Sequence, residues 1–237
     1  MRALLLVAAP LALALTSCNG AAPGSGTSGT FTARLVAGSD TVATVEGDLP
    51  APVPAAARVA IPLPRPVASL QVTNTVWPLA DSLSSSAFLL GYVDSSGDSV
   101  LYATEFDVPR FATVDSAAAH LFAVALPRMW VGAATSHPMT VQAGADSLTA
   151  FTLSAPAPGL AVATLDATAL VGYPNSRIVV RFDAPGRAPA LVAYWRAPAN
   201  GGWYASALST TAAGVASGDL GLVDPVHPQV YLADLGR

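Results

Sequence analysis

The sequence predicts a mainly β protein: an antiparallel β-sandwich or partly open barrel with at most one or two short helices. Three observations lead there. Short apolar runs alternate with polar residues at the strand period of two. Gly, Pro, Asn and Asp punctuate those runs at close intervals. Two segments carry the turn chemistry of tight hairpins.

The first hairpin is FTARLV–TVATVE. Phe31, Ala33 and Leu35 fall on one face of the leading run, and Gly38-Ser39-Asp40 supplies the turn. A proline-dense stretch follows, with Pro at 50, 52, 54, 62, 64 and 66. Each proline removes an amide donor, so this stretch is excluded from the middle of a sheet and must wrap the surface or run along an edge.

The second hairpin is AFLLGYV–DSSGD–SVLYATEF, turning at Ser95–Gly97. That turn sets Tyr92 opposite Val100, Leu90 opposite Tyr102 and Phe88 opposite Thr104. Both faces are largely apolar, which places the pair inside a layered structure. One helix is expected, from a cap at Asp115 through AAAHLFAVAL to a stop at Pro127. Further strand-like runs are TVQAG, SLTAFTLS, LAVATLD, RIVVRF, ALVAYWR and WYASAL.

The start of the chain has a different pattern. Met1-Arg2 precedes an uncharged run from Ala3 to Leu15, too short to span a bilayer but suited to an export signal. Leu15-Thr16-Ser17-Cys18 then resembles the lipobox of bacterial lipoproteins. The resemblance covers only these first residues. It implies that diacylglycerol is joined to the Cys18 thiol, that residues 1–17 are removed as a signal peptide, and that the new amino group is open to acylation, with palmitate as a typical chain. Two or three acyl chains hold a protein stably at a bilayer. Asn19 stands where the class carries Asp for inner-membrane retention, so the resemblance favours the outer membrane of a two-membrane cell.

Residues 18–30 read as a lipidated, Gly/Ser-rich tether; the twelve residues after Cys18 would span about 19 Å as a flexible coil. Residues 31–237 form the β-rich extracytoplasmic body, and SAPAPG at 154–159 is where it would divide.

Composition excludes several functions. All eleven basic residues are Arg and the net charge is −4, so no basic stripe exists for nucleic acid. Without lysine there is no Schiff base, P-loop lysine or Ser-Lys dyad. Cys18 is the single cysteine, so a lipidated chain has no disulfide and no thiol nucleophile. No GxSxG, HExxH or EF-hand pattern occurs, and DSSGDS reads as a turn. Of three histidines, His120 lies in the expected helix, while His137 and His227 precede prolines. Asp224 and His227 supply two groups, too few for a zinc site. No catalytic residue, metal site or cofactor is expected.

The expectation is therefore a membrane-anchored envelope lipoprotein acting as a non-enzymatic structural or interaction module, with envelope proteins or glycans as partners. The alternative is an extracytoplasmic module binding a sugar or peptide through aromatic residues. For that role the sequence points to Trp195, Arg196, Trp203 and Tyr204. The turn signal between them pairs Arg196 with Trp203 and Trp195 with Tyr204. Alternation then sets Trp195 and Tyr204 on one face and Arg196 and Trp203 on the other. Either one of these faces leaves aromatic surface open, or one ring pair fills the core and the other is covered by a loop or the C-terminal tail, the usual fate of large aromatics.

Overall fold

The computed structural model describes residues 29–65, 69–74, 87–93, 99–105, 110–113, 121–130, 136–198 and 202–236. The Cys18 lipobox, the tether as far as Ser28, the 94–98 turn and His120 lie outside the described residues, and Thr30, expected to end the tether, opens the first strand.

Seventeen strands follow in chain order among them. They are β1 (Thr30–Ala37), β2 (Asp40–Asp48), β3 (Val59–Ile61), β4 (Ser69–Asn74), β5 (Ala87–Val93) and β6 (Ser99–Glu105). Then come β7 (Arg110–Thr113), β8 (Leu121–Val124), β9 (Ser136–Ala143), β10 (Asp146–Ser154), β11 (Ala163–Asp166) and β12 (Ser176–Asp183). The last five are β13 (Leu191–Arg196), β14 (Trp203–Ala207), β15 (Ser209–Ala212), β16 (Val215–Leu220) and β17 (Gln229–Asp234). Apart from single 3-10 turns at Ala55–Ala57 and Thr168–Leu170, the described residues form no helix.

The strands make four antiparallel sheets, none closed into a barrel. The first has the order β15-β16-β12-β1-β2, the second β11-β17-β13-β14, the third β3-β8-β5-β6 and the fourth β10-β9-β4-β7. Side-chain alternation shows how they stack. Phe31, Ala33, Leu35, Ile178 and Val180 of the first sheet pack against Leu191, Ala193, Trp195, Val230 and Leu232 of the second. The opposite face of the second sheet, with Val192, Tyr194, Trp203 and Ala233, packs against Leu89, Phe122 and Val124 of the third. The third sheet turns Phe88, Leu90, Leu121 and Ala123 toward Met139, Val141, Phe151 and Leu153 of the fourth. Three apolar layers thus separate four sheets, and the central strands β13 and β8 of the two inner sheets are buried on both faces.

The chain order in this stack is not simple. β1 and β2 belong with β11–β17 in one sandwich, while β3–β10 form the other, inserted between them. Segment 154–159 is where the chain leaves the fourth sheet for the second. Residues 49–58 are the other crossing. Pro52 bridges to Asp234, and the Val53 amide donates to the Asp234 carbonyl at 2.7 Å. β3 beyond it is an edge strand, as the prolines around it require.

Both expected hairpins form, and the second keeps the register read from sequence; in the first, Asp40 of the expected turn already belongs to β2. Ala37 faces Asp40 around Gly38, whose φ of +61° suits glycine. Tyr92 faces Val100, Leu90 faces Tyr102 and Phe88 faces Thr104.

The helix expected from Asp115 to Pro127 is corrected in its described part. Leu121–Val124 is β8, paired with β3 and β5 inside the third sheet. All four of its residues are buried. A strand buried on both faces reads as a continuous apolar run, which periodicity alone does not separate from a buried helix.

Candidate functional site

The aromatic ribbon forms as a hairpin end. The Ala197 amide donates to the Gly202 carbonyl at 2.9 Å, and Arg196 pairs with Trp203 and Trp195 with Tyr204, the expected register. Cross-strand pairing brings the Trp195 and Tyr204 rings into a stacked contact, with centroids 6.2 Å apart and planes inclined by 25°.

Burial decides between the two readings in favour of covered indoles. Trp195 is 4% exposed and Trp203 6%, so both indoles are core residues. Trp195 fills the layer toward the first sheet, and Trp203 packs with Tyr194 and Tyr231 in the layer toward the third. The sheet that carries the ribbon is covered on both sides, so alternation leaves neither indole open. Tyr204 alone of the four aromatic side chains at 194, 195, 203 and 204 is exposed, at 42%. Arg196 is half-buried.

Loop 221–228, which joins the first sheet to the second, crosses the end of β13. The Asp224 amide donates to the Arg196 carbonyl at 2.9 Å, and Gly221 runs past the edge of the Trp195 indole. The Asp224 carboxylate is buried and well satisfied. Its Oδ1 accepts from the Val226 amide at 2.9 Å, and its Oδ2 lies 3.1 Å from His227 Nδ1. Burial opposes its charge, but the Val226 amide, His227 and Arg196 outweigh that and hold the carboxyl below the usual carboxylate range.

An Arg196 Nη1 lies 3.5 Å from the same His227 nitrogen. The shorter contact to Asp224 assigns the Nδ1 proton to that bond. In the neutral ring Nε2 is then a hydrogen-bond acceptor on a half-exposed side chain. Trp195 Nε1 is buried without a hydrogen-bond partner.

This corner can accept a hydrogen bond at His227 and offer a flat ring at Tyr204. Among the described residues no group of three or more His, Cys, Asp or Glu is arranged to hold a metal ion. His137 is buried with its ring tilted against Trp130 at 5.1 Å, and desolvation lowers its pKa. No described helix is long and apolar enough to cross a membrane.

Sequence reasoning recognised Asp224 and His227 as neighbours in the chain but did not join them to Arg196. It also passed over Leu222 and Val226, apolar side chains exposed in the same loop. Pro225 and Pro228 around them were the available sign that these residues sit in a loop and not in a strand. No protein-family model, curated protein or solved structure matches this chain.

Proposed function

We propose that the protein is a lipid-anchored envelope lipoprotein whose β body is a non-enzymatic interaction module outside the cytoplasm, with the outer membrane favoured over the inner. One observation carries the anchor: Leu15-Thr16-Ser17-Cys18 directly behind an uncharged apolar run. The module reading is supported by a body built as stacked sheets, with its conspicuous polar pair, Asp224 and His227, bonded to each other at a loop. The test is intact mass of the protein from membranes. Wild type should begin at Cys18 and carry diacylglycerol with or without a further acyl chain, and Cys18→Ser should be unprocessed or released. A wild-type mass without lipid overturns the anchor.

A second reading, a sugar- or peptide-binding lipoprotein, is favoured by Tyr204, the exposed ring stacked on buried Trp195. Binding to glycan and peptide arrays that is lost in Tyr204→Ala, with the melting temperature nearly kept, would select it.

A further inference from the structure

We infer that the open edge of β2 takes up an extended, basic segment of another polypeptide as an added strand. This deepens the interaction-module reading and rests on it.

The edge follows from sheet order. β2 ends the first sheet, and among the described residues no strand pairs with its outer side. An outermost strand keeps a row of backbone donors and acceptors free for a further chain. The register shift against β1 lies near the turn, between Leu35 and Val36, so Ala43 to Asp48 runs regularly. Neither lysine nor proline, two residues that blunt an edge, occurs in Asp40–Asp48.

The two faces of β2 specify what is added. Ala43, Val45 and Gly47 pair with Leu35, Ala33 and Phe31, which sets them on the core side. Those three β1 residues are buried, whereas Ala43 and Val45 are only half-buried and Gly47 is exposed. The apolar layer thus stops short at the last strand. A strand beyond it with apolar residues on that side would remove the remaining surface of Ala43 and Val45 from water. The other face carries Thr44, Glu46 and Asp48, opposite Arg34, Thr32 and Thr30. Glu46 and Asp48 are exposed, and neither forms an ion pair among the described residues.

The occupant follows from charge and space. β2 contains three acidic residues and no basic one. Arg34 and Arg181, on the same face as Glu46 and Asp48, lie one and two strands inward, so an added strand meets the carboxylates before the arginines. Gly47 has no positive φ, but a Cβ there would sit 3.2 Å from the Phe31 ring. An open hollow of about 470 Å³ is lined by Thr30, Phe31, Thr32, Glu46, Gly47 and Asp48. It gives room for the stem of a lysine or arginine whose head meets the two carboxylates. In strand addition the backbone bonds supply affinity and the alternate side chains specificity. The segment that fits therefore alternates apolar residues, toward Ala43 and Val45, with basic ones, toward Glu46 and Asp48. A second copy does not fit, because it would bring its own Glu46 and Asp48 to the seam with no basic residue in β2 to answer them.

The experiment adds a capped peptide of alternating lysine and valine, KVKVKVKVK, to the full-length protein in detergent, with EVEVEVEVE as control. Hydrogen–deuterium exchange is read segment by segment. With the lysine peptide, exchange over residues 40–48 should slow by about tenfold or more, while β15 at the other edge of the sheet stays unchanged. The protection should weaken as salt is raised, since the carboxylates are exposed. Glu46→Lys combined with Asp48→Lys changes two exposed side chains and should keep the melting temperature. That variant should lose protection by the lysine peptide and gain it from the glutamate peptide. Equal protection by both peptides, protection at β15 in place of β2, or no protection at 40–48 overturns the proposal. Protection that grows with protein concentration without peptide also overturns it, by assigning the edge to a second copy. Intact mass from the same sample separates the two readings. Lipidated protein with an unprotected edge refutes strand addition alone, whereas protection on unlipidated protein refutes the anchor alone.

Discussion

The Tyr194 hydroxyl donates a hydrogen bond to the Pro127 carbonyl at 2.8 Å, joining the second sheet to the segment that leaves the third. Tyr194 is fully buried, stacked on Tyr231 at 5.2 Å. Burial, reinforced by Tyr231 and partly opposed by Arg128, pushes its pKa far above the ordinary tyrosine value.

Two outcomes follow for Tyr194→Phe. At neutral pH the Pro127 carbonyl loses its donor, at a cost of about 1–2 kcal/mol. That lowers the melting temperature by several degrees at about 2–4 °C per kcal/mol. In alkali the sign reverses in part. Below pH about 10 both folded and unfolded tyrosine keep the proton, so the stabilisation is fully present. As pH rises further the unfolded chain releases that proton while the folded one holds it, and stability falls. The variant should therefore lose less stability than wild type above pH about 10, measured by urea denaturation across pH.

Asp234 is the second point where the structure depends on one side chain. Its carboxylate is wholly buried, pairs with Arg187, and accepts from the amides of Ala190 and Gly236 at 3.0 and 2.9 Å. Its own carbonyl holds Val53 at the crossing between sandwiches. Asp234→Ala should cost about 3–5 kcal/mol, because breaking a buried pair leaves donors and a cation without their acceptor. Denaturant titration reads this directly, and a loss below about 1 kcal/mol would mean solvent reaches the pair.

The parts of this fold that were legible from sequence are local. Gly38 marks the β1–β2 turn, and alternation in FTARLV puts Phe31, Ala33 and Leu35 on one face, which is the face that packs into the core. The registers of the β5–β6 and β13–β14 hairpins follow from their turns. What was not legible depends on distant partners. Nothing near Thr32 announces that it pairs with Arg181. Leu121–Val124 looked helical because a strand between two cores has no polar face to show its period. Local spacing likewise assigned Trp203 to neither an open nor a covered face, because its cover is a third sheet brought in from distant residues. Arg196 meets Asp224 and His227 only because loop 221–228 crosses β13, which no spacing in the chain encodes.

Arg128 tests stored strain. It is the one non-glycine described residue with positive φ, at 67°, in a turn closed by Met129 N to Leu126 O at 3.2 Å. Pro127 before it gives the arrangement of a type II turn, whose third position favours glycine. The left-handed backbone costs an L-residue about 1–2 kcal/mol. Arg128→Gly should recover part of that, by up to about 1 kcal/mol after the added freedom of the unfolded chain is counted. Thermal melting should rise by a few degrees, and a fall would show that the Arg128 side chain makes a compensating contact.

Trp203 and Tyr204 are adjacent in sequence and should respond oppositely to truncation. Trp203 lies in the layer between the second and third sheets, with ring centroids 6.0 Å from Tyr194 and 5.9 Å from Tyr231. Removing it leaves a cavity lined by aromatic and aliphatic groups that belong to two sheets and close in only partly. Trp203→Ala should therefore cost about 3–5 kcal/mol and weaken the junction of the two sandwiches. Tyr204 leans on Trp195 from the solvent side, and it is already partly exposed. Tyr204→Ala forfeits the stacked contact, about 0.5–1.5 kcal/mol, and opens no cavity. Paired denaturation curves measure both. A Trp203→Ala protein as stable as wild type would place that indole outside the core and restore it as a candidate binding surface. A Tyr204→Ala protein that unfolds would remove the last exposed ring of the ribbon from any binding role.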